Sequence, residues 1–221
     1  QASSSAASDV YKRQYHYRDI SDEKVLKQIE NTLLKKIDPE NVAAIVIEIQ
    51  LGEGGYIPAT ENFLKQLKKL AKQHNILLIF DEVQTGFGRT GEMFGADKIN
   101  VEPDMVTLAK GIGGGFPLAA VVGKAEIMDS VHDAGIGSTF GASPISCAAA
   151  LGVLDVFDKD SLLEKVNKQT KIMDKSLGNI KENFDFVGDV RGYGIMKGVE
   201  IVESKDNKIC LLYTSDAADD D

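Results

Sequence analysis

Two short apolar runs constrain this chain most. Ile76–Phe80 ends on Asp81-Glu82, and Met105–Leu108 is followed two residues later by Lys110. Each run has the length of a strand and finishes on an ionisable group. Helical periodicity lies around them. Asp22–Lys36 puts Val25, Ile29 and Leu33 on one stripe, which Ile37 continues and Asp38-Pro39 closes. Thr60 caps a second helix reaching about His74, with Phe63, Leu64, Leu67, Leu70 and Ala71 on one face. Val42–Ile49 and Leu118–Val122 read as further buried strands, the latter leading into a short helix at Ala125–Val131. Ser143-Pro144 opens a helix as cap and first residue, running to about Phe157, and an amphipathic helix covers Leu162–Asn183. Val187–Val202 carries Gly188, Gly192, Gly194 and Gly198 and reads as strands joined by turns. Apolar strands alternating with helices predict an α/β fold with a largely parallel sheet. Ligands of such sheets sit beyond the carboxyl ends of the strands, so Asp81 and Lys110 are expected to project toward one crevice.

The two ends stand apart from this pattern. With suitable codons for Ser4–Gln14 (SSAASDVYKRQ), the reverse complement, read one base in, encodes Cys-Leu-Leu-Tyr-Thr-Ser-Asp-Ala-Ala-Asp and then Asp or Glu, which is the segment Cys210–Asp220. The pair resembles a sequencing-library transposon adaptor flanking a gene fragment in opposite orientations. Residues 1–14 and 210–221 are therefore set aside from fold reasoning as tails. The expected natural segment is about Tyr15–Ile209, cut from a longer protein, with one domain over 15–186 and the start of a second over 187–209.

The tails contribute two cations (Lys12, Arg13) against five carboxylates (Asp9, Asp216, Asp219, Asp220, Asp221), so the net charge of −9 becomes −6 without them. That balance argues against a nucleic-acid or anionic-membrane partner. Cys147 is the one cysteine left once Cys210 is set aside, which excludes an internal disulfide framework and fits a reducing cytoplasm. No apolar run approaches the ~18 residues of a membrane span. His74 and His132 have no clustered partners in sequence and, with Arg89, are read as structural rather than as metal ligands.

A carboxylate and a lysine, each at the end of an apolar strand, suit the covalent capture of an aromatic aldehyde cofactor whose ring must stay protonated. Two other readings use the same residues. Asp81 and Lys110 could form a structural ion pair, since an unpaired buried charge costs several kcal/mol. Alternatively, Asp81-Glu82 at a strand end describes the Mg²⁺-holding strand of an NTPase. That reading needs a phosphate loop; Gly123-Lys124 is followed by Ala125 and lacks the earlier glycine, so the loop would have to lie in the part that precedes Tyr15, and the reading stays as an alternative.

Four segments in order and spacing, FDEVQTGFGRTG, LAKGIGGGFPLAAVVGKAEIMD, GSTFGASPISCAAAL and GDVRGYGIMKGVEI, resemble the class-III aminotransferases. The likeness covers essentially all of Tyr15–Ile209, and AVVGKAEIMD with GDVRG is most similar to the 4-aminobutyrate branch, with the acetylornithine and ornithine branches as neighbours. The resemblance implies the major domain of a fold-type I enzyme that uses pyridoxal 5'-phosphate. By the same resemblance, Lys110 binds the cofactor aldehyde and later shuttles a proton, although a free lysine of pKa ~10.4 is less than about 0.1% neutral at pH 7. Asp81 pairs with the pyridine nitrogen and keeps it protonated. Val83 packs on the ring and Gln84 hydrogen-bonds the phenolic oxygen; without the resemblance they read as a core valine and a solvated turn residue.

Glu53 of GEGG matches a glutamate that changes its pairing between the two half-reactions, and Glu48 one that lines the substrate side. Ser138 and Thr139 match a segment that binds the cofactor phosphate of the partner subunit, implying a homodimer. Two departures stand out: Ile49 replaces a proline usual before the GEGG loop, and Gly141-Ala142-Ser143-Pro144 replaces G-G-N-P. The expected activity of the intact parent is amino transfer from an ω-amino acid such as 4-aminobutyrate to 2-oxoglutarate. Residues 1–221 alone are expected to turn over little or nothing, because the resemblance places the phosphate loop before Tyr15 and the substrate-carboxylate arginine after Ile209.

Overall fold

The computed structural model describes residues 13–132, 135 and 137–210. The order of elements is α1 (Asp22–Lys35), β1 (Ala44–Glu48), α2 (Glu61–Gln73), β2 (Leu77–Asp81), β3 (Met105–Leu108), β4 (Ala120–Gly123), α3 (Ala125–Met128), α4 (Pro144–Lys159), α5 (Leu162–Asn183), β5 (Val187–Arg191) and β6 (Gly198–Ile201). Strands β1 to β4 form one sheet in sequence order. β1, β2 and β3 run parallel, and β4 returns antiparallel to β3. β5 and β6 make a separate antiparallel pair. The predicted α/β architecture with a largely parallel sheet holds, and α5 and β3 have the predicted bounds.

Local signals account for the element ends. Ser21 accepts a hydrogen bond from the Lys24 amide at the start of α1, where Asp22 and Glu23 also face the positive end of the helix dipole. Thr60 caps α2 by accepting from the Phe63 amide. Asn75 sits in the left-handed region at φ 55°, stopping α2 two residues before β2 begins. Ser143 occupies the predicted cap position of α4 with Pro144 following, but its side chain makes no capping bond. The short helix after β4 stops at Met128 rather than Val131, its end closed by Asp129 donating to Ala125.

Register fixes the two faces of the sheet. Ile45 pairs with Leu78 and Ile47 with Phe80, so all four lie on one side. That side meets Phe63, Leu64 and Leu67 of α2 and Val25 and Leu26 of α1 in the main core. Each fully buried large side chain here contributes roughly 2 kcal/mol. The opposite row is less covered: Val46 is 61% exposed. The expectation that β1 is buried throughout therefore fails at this residue, because only the α1–α2 layer packs on the strand among the described residues. α4 likewise exposes Ile145, Leu151, Leu154 and Val156.

Both ends of the described chain are engaged. Gln14, placed in the N-terminal tail on sequence grounds, is buried and donates to the Pro58 carbonyl at 3.3 Å, and Arg13 donates to the Glu48 carbonyl. Residues 1–12 and 211–221 lie outside the described residues. Among the described residues no helix is long and apolar enough to cross a membrane.

One polar cluster ties β2, β3 and β4 to α2. Asp104 accepts from the Leu78 amide (2.9 Å), Lys68 (2.6 Å) and Lys124 (2.7 Å). Burial alone would push this carboxyl up, but the Leu78 amide and the two ammoniums outweigh it and hold it at about 2, below its ordinary 3.8. A carboxyl lowered on folding stabilises fully above its unfolded pKa and loses that contribution as pH falls through the folded one. Asp104→Asn should therefore cost on the order of 2 kcal/mol at neutral pH in urea unfolding. The gap between the two proteins should close as pH falls from about 4 toward 2; a pH-independent gap would contradict the assignment.

Candidate functional site

Alternation at the end of β2 sends Asp81 and Glu82 to opposite sides, and their partners differ completely. Glu82 is fully buried on the Phe80 side. Its carboxylate accepts from Thr85 Oγ1 (2.6 Å), the Gly95 amide (2.7 Å) and the Ala96 amide (2.7 Å). The loop 83–94 is thus pinned at both ends by one side chain. With both oxygens occupied by protein donors, Glu82 is turned away from solvent and cannot hold a hydrated Mg²⁺, which removes the NTPase reading of Asp81-Glu82.

Asp81 lies on the opposite row. Glu48 and Asp81 are register partners across β1 and β2, and Asp81 and Thr107 across β2 and β3, so three polar side chains sit side by side at the carboxyl ends of the parallel strands. Asp81 Oδ1 accepts from the Val83 amide (3.0 Å) and Thr107 Oγ1 (3.1 Å). Among the described residues no donor reaches Oδ2. Neither Asp81 nor Lys110 enters an ion pair among the described residues, so the structural ion pair between them does not form.

Lys110 begins a single 3-10 turn, Lys110–Gly113, directly after β3. Its φ of 48° lies in the left-handed region, a conformation that costs a non-glycine residue about 1 kcal/mol or more and that concentrates at functional sites. The turn is backed by Phe87: a methyl built on Gly111 would approach Phe87 Cβ to 2.8 Å. Phe87 in turn packs edge-on against Phe94 and Phe157.

A cavity of about 350 Å³ opens here, within the range typical of small-molecule sites. Lys110, Val83 and Gln84 line it together with Tyr56, Arg89 and Lys197. Gln84 lies across Gly52 so closely that any side chain at residue 52 would overlap its amide oxygen. A side chain at residue 52 would therefore push the Gln84 amide from its place beside the cavity. Glu48 accepts from the Gly52 amide at 2.8 Å and so closes the same turn, while Glu53 is exposed at its tip. Ser138 and Thr139 are exposed in the turn before α4 and do not line the cavity. Ile49, standing where the family pattern has proline, is fully buried in the main core and donates nothing to the cavity.

Of the sequence-predicted residues, then, Lys110, Val83 and Gln84 come together, Asp81 stands beside them through the Val83 amide, and Glu48 and Glu53 frame the neighbouring turn. Thr107, Tyr56 and Lys197 went unpredicted, and Arg89, read as structural from the sequence, lines the cavity. Thr107 was visible as the register partner of Asp81 once the strands are aligned. Tyr56 and Lys197 carried no local signal. Lys197, its side chain largely enclosed, pairs with Asp174 of α5 at 2.6 Å and donates to the Gly192 carbonyl at 2.8 Å.

The sequence model of the family described as "Aminotransferase class-III" matches residues 3–218. The chain belongs to the class-III aminotransferases. It is 45% identical over 184 residues to a 5-aminovalerate aminotransferase of Pseudomonas putida, covering 83% of this chain and 43% of that protein. It is 44% identical over 188 residues to a 4-aminobutyrate aminotransferase of Escherichia coli, covering 85% and 44%. Among solved structures, an amine transaminase from an uncultivated Pseudomonas species in its PLP-bound form superposes with a TM-score of 0.79 at 33% identity, covering 85% of this chain and 44% of that one. The chain thus spans less than half the length of these class-III aminotransferases. Its fold is that of the fold-type I transaminases, over the part they share.

The cavity residues fit the aldehyde cofactor of this family. Among the described residues, a lysine free of ion pairs and an amide packed on a glycine line the cavity, and a carboxylate oxygen without a donor stands beside them at the carboxyl ends of the parallel strands. The Glu82 clamp holds the loop that carries Val83 and Gln84. Glu82→Ala would strand three donors and should lower stability by on the order of 3 kcal/mol or more in thermal or urea unfolding. Amide exchange at Gly95 and Ala96 should rise with it, and a Mg²⁺-nucleotide complex should leave the melting temperature of the unsubstituted chain unchanged.

Proposed function

We propose that this chain is the cofactor-gripping part of an aminotransferase that moves an amino group from an ω-amino acid to 2-oxoglutarate. The observation that carries this reading is Lys110. It is held in a left-handed turn at the mouth of a cavity shared with Val83 and Gln84, beside an Asp81 oxygen with no donor among the described residues. The relatives named for 4-aminobutyrate and 5-aminovalerate match almost equally well. Both names denote a straight chain with an amine at one end and a carboxylate at the other. That supports the ω-amino acid class, with 4-aminobutyrate as the first candidate.

The roles follow from the side chains. Lys110 Nζ would hold the aldehyde of pyridoxal 5'-phosphate and, once displaced by the substrate amine, would carry the proton between the substrate carbon and the cofactor carbon. Asp81 Oδ2 would accept the ring N–H; an adjacent carboxylate typically raises a cation's pKa by roughly 1–3 units. Bound pyridoxal phosphate supplies the electron sink for the carbon that loses its proton. Val83 would pack on the ring face and Gln84 would donate to the phenolic oxygen. Glu53, exposed on its turn, would serve as the movable counter-charge that lets one site take both an amine-bearing chain and a dicarboxylate. Glu48 would support that turn from the substrate side. Ser138 and Thr139, exposed and outside the cavity, would reach the cofactor phosphate of a partner subunit, so the intact protein would be a homodimer working in the cytoplasm.

Incubating the full-length parent protein with pyridoxal phosphate tests this directly. The expected outcome is a visible absorption band that borohydride converts to a stable adduct mapped to Lys110 by peptide mass. Lys110→Ala should lose both. Absence of a band and adduct in the unsubstituted protein would overturn the proposal. Residues 1–221 alone should give no measurable glutamate from 4-aminobutyrate and 2-oxoglutarate.

A further inference from the structure

We infer that the Thr107 hydroxyl is a positioning group. It fixes the plane of the Asp81 carboxylate so that Oδ2, and not Oδ1, is presented to the cofactor ring. This rests on the cofactor reading above and adds to it a residue outside the cavity lining.

Thr107 touches the Asp81-Glu82 segment twice. Its carbonyl accepts from the Glu82 amide at 3.0 Å as part of the strand ladder, and its hydroxyl donates to Asp81 Oδ1 at 3.1 Å. Because the two residues are direct register partners, their side chains leave the sheet on the same face, about 4.8 Å apart along the hydrogen-bonding direction. Threonine is β-branched, so χ1 is stiff and the hydroxyl stays where the strand puts it. The Val83 amide donates to the same oxygen at 3.0 Å. One donor would leave the carboxylate free to turn about its Cβ–Cγ bond. Two donors converging on Oδ1, one from β3 and one from the loop that follows β2, define its plane and leave Oδ2 open.

The surroundings make this restraint necessary. On the other flank of Asp81, one strand away in the same row, lies Glu48. Like charges on adjacent strands repel, so the β1 side offers Asp81 no attraction. The only hydroxyl or ammonium donor that engages Asp81 among the described residues comes from β3, and it is Thr107. Glu48 is itself held by the Gly52 amide at 2.8 Å, which keeps the two carboxylates on separate donors. A charge-assisted bond from a protonated ring nitrogen depends on a fixed acceptor at about 2.7–2.9 Å, so the orientation of Asp81 bears directly on cofactor retention.

Two substitutions separate the hydroxyl from the shape. Thr107→Val keeps the volume and β-branching and removes the donor, and Thr107→Ser keeps the donor and loses the methyl. In the full-length protein without cofactor, hydrogen exchange at the Val83 amide should accelerate severalfold in Thr107→Val and stay near the original rate in Thr107→Ser. With pyridoxal phosphate, the dissociation constant should rise roughly five- to tenfold in Thr107→Val, and the visible band of the protonated ring should fade at lower pH; Thr107→Ser should restore both. If Thr107→Val matches the unsubstituted protein in the exchange measurement, or Thr107→Ser is impaired as much as Thr107→Val, the inference is overturned. Failure of the unsubstituted protein to take up cofactor would overturn the proposed function instead, and the cofactor-free exchange arm would still decide the role of Thr107.

Discussion

The Glu82 carboxylate collects a hydroxyl and two amides that lie as far as fourteen residues along the chain. Burying a carboxylate without partners costs several kcal/mol, so three short donors are close to a requirement once the side chain is enclosed. Their presence makes the orientation of its neighbour inevitable. Strand alternation allows only one of Asp81 and Glu82 to point into the α2 layer. Since Glu82 is the one that does, Asp81 must face the open row with Glu48 and Thr107. The loop that carries Val83 and Gln84 hangs from the same anchor, and Gly95 has the room it needs because its missing side chain would meet Glu82 Oε2 at 3.0 Å.

A second set of buried ties brings the Gly52 turn against that loop. Gln50 is fully buried, donates to the Met196 carbonyl at 3.0 Å and accepts from the Tyr193 amide at 2.6 Å. Arg191 donates to the Gly55 carbonyl at 2.8 Å, pairs with Glu200 at 3.0 Å and stacks over Tyr15 at 4.7 Å. Burial would raise the Glu200 carboxyl, but Tyr15, Arg18 and Arg191 prevail and keep it below its ordinary value. Gly194 lets this segment lie directly on the Arg89–Gly91 backbone, where a side chain would collide with the main chain. The turn bearing Glu53 is therefore fastened from beneath by the β5–β6 region, while its tip remains exposed.

How much of this could be read beforehand depended on the range of the interaction. The helical stripes, the Thr60 cap and the strand ends at Asp81 and Leu108 are set by neighbours within a turn or two, and the sequence carried them faithfully. The placement of Asp81 and Lys110 at the carboxyl ends of β2 and β3 was legible for the same reason, since each closes an apolar run. The long-range contacts were not. Glu82 looked like half of an acidic pair because its three donors come from a loop whose path no local rule predicts. The contact of Gln84 with Gly52 joins two loops thirty-two residues apart, which no local pattern marks. Val46 is exposed although Val42–Ile47 around it is apolar throughout, since period and composition report what a strand could bury and not what the remaining described chain brings to cover it. Arg13 and Gln14, set aside by a nucleotide-level argument, nevertheless pack against β1 and the Pro58 turn.

The charges around the cavity divide in a way that bears on what it can hold. Its lining includes Lys110, Arg89 and Lys197 and no carboxylate. Lys197 is offset by Asp174 at 2.6 Å, whereas neither Arg89 nor Lys110 has an ion-pair partner among the described residues. Behind the lining, Glu48 and Asp81 each spend an oxygen on a backbone amide, so their negative charge is partly committed to the fold. The resulting field favours an anionic ligand in the cavity, and beside the lining Asp81 Oδ2 has no donor among the described residues and is left for a single N–H. A group carrying both a negative edge and a protonatable nitrogen satisfies the two demands together. An ammonium-bearing or neutral ligand would satisfy at most one.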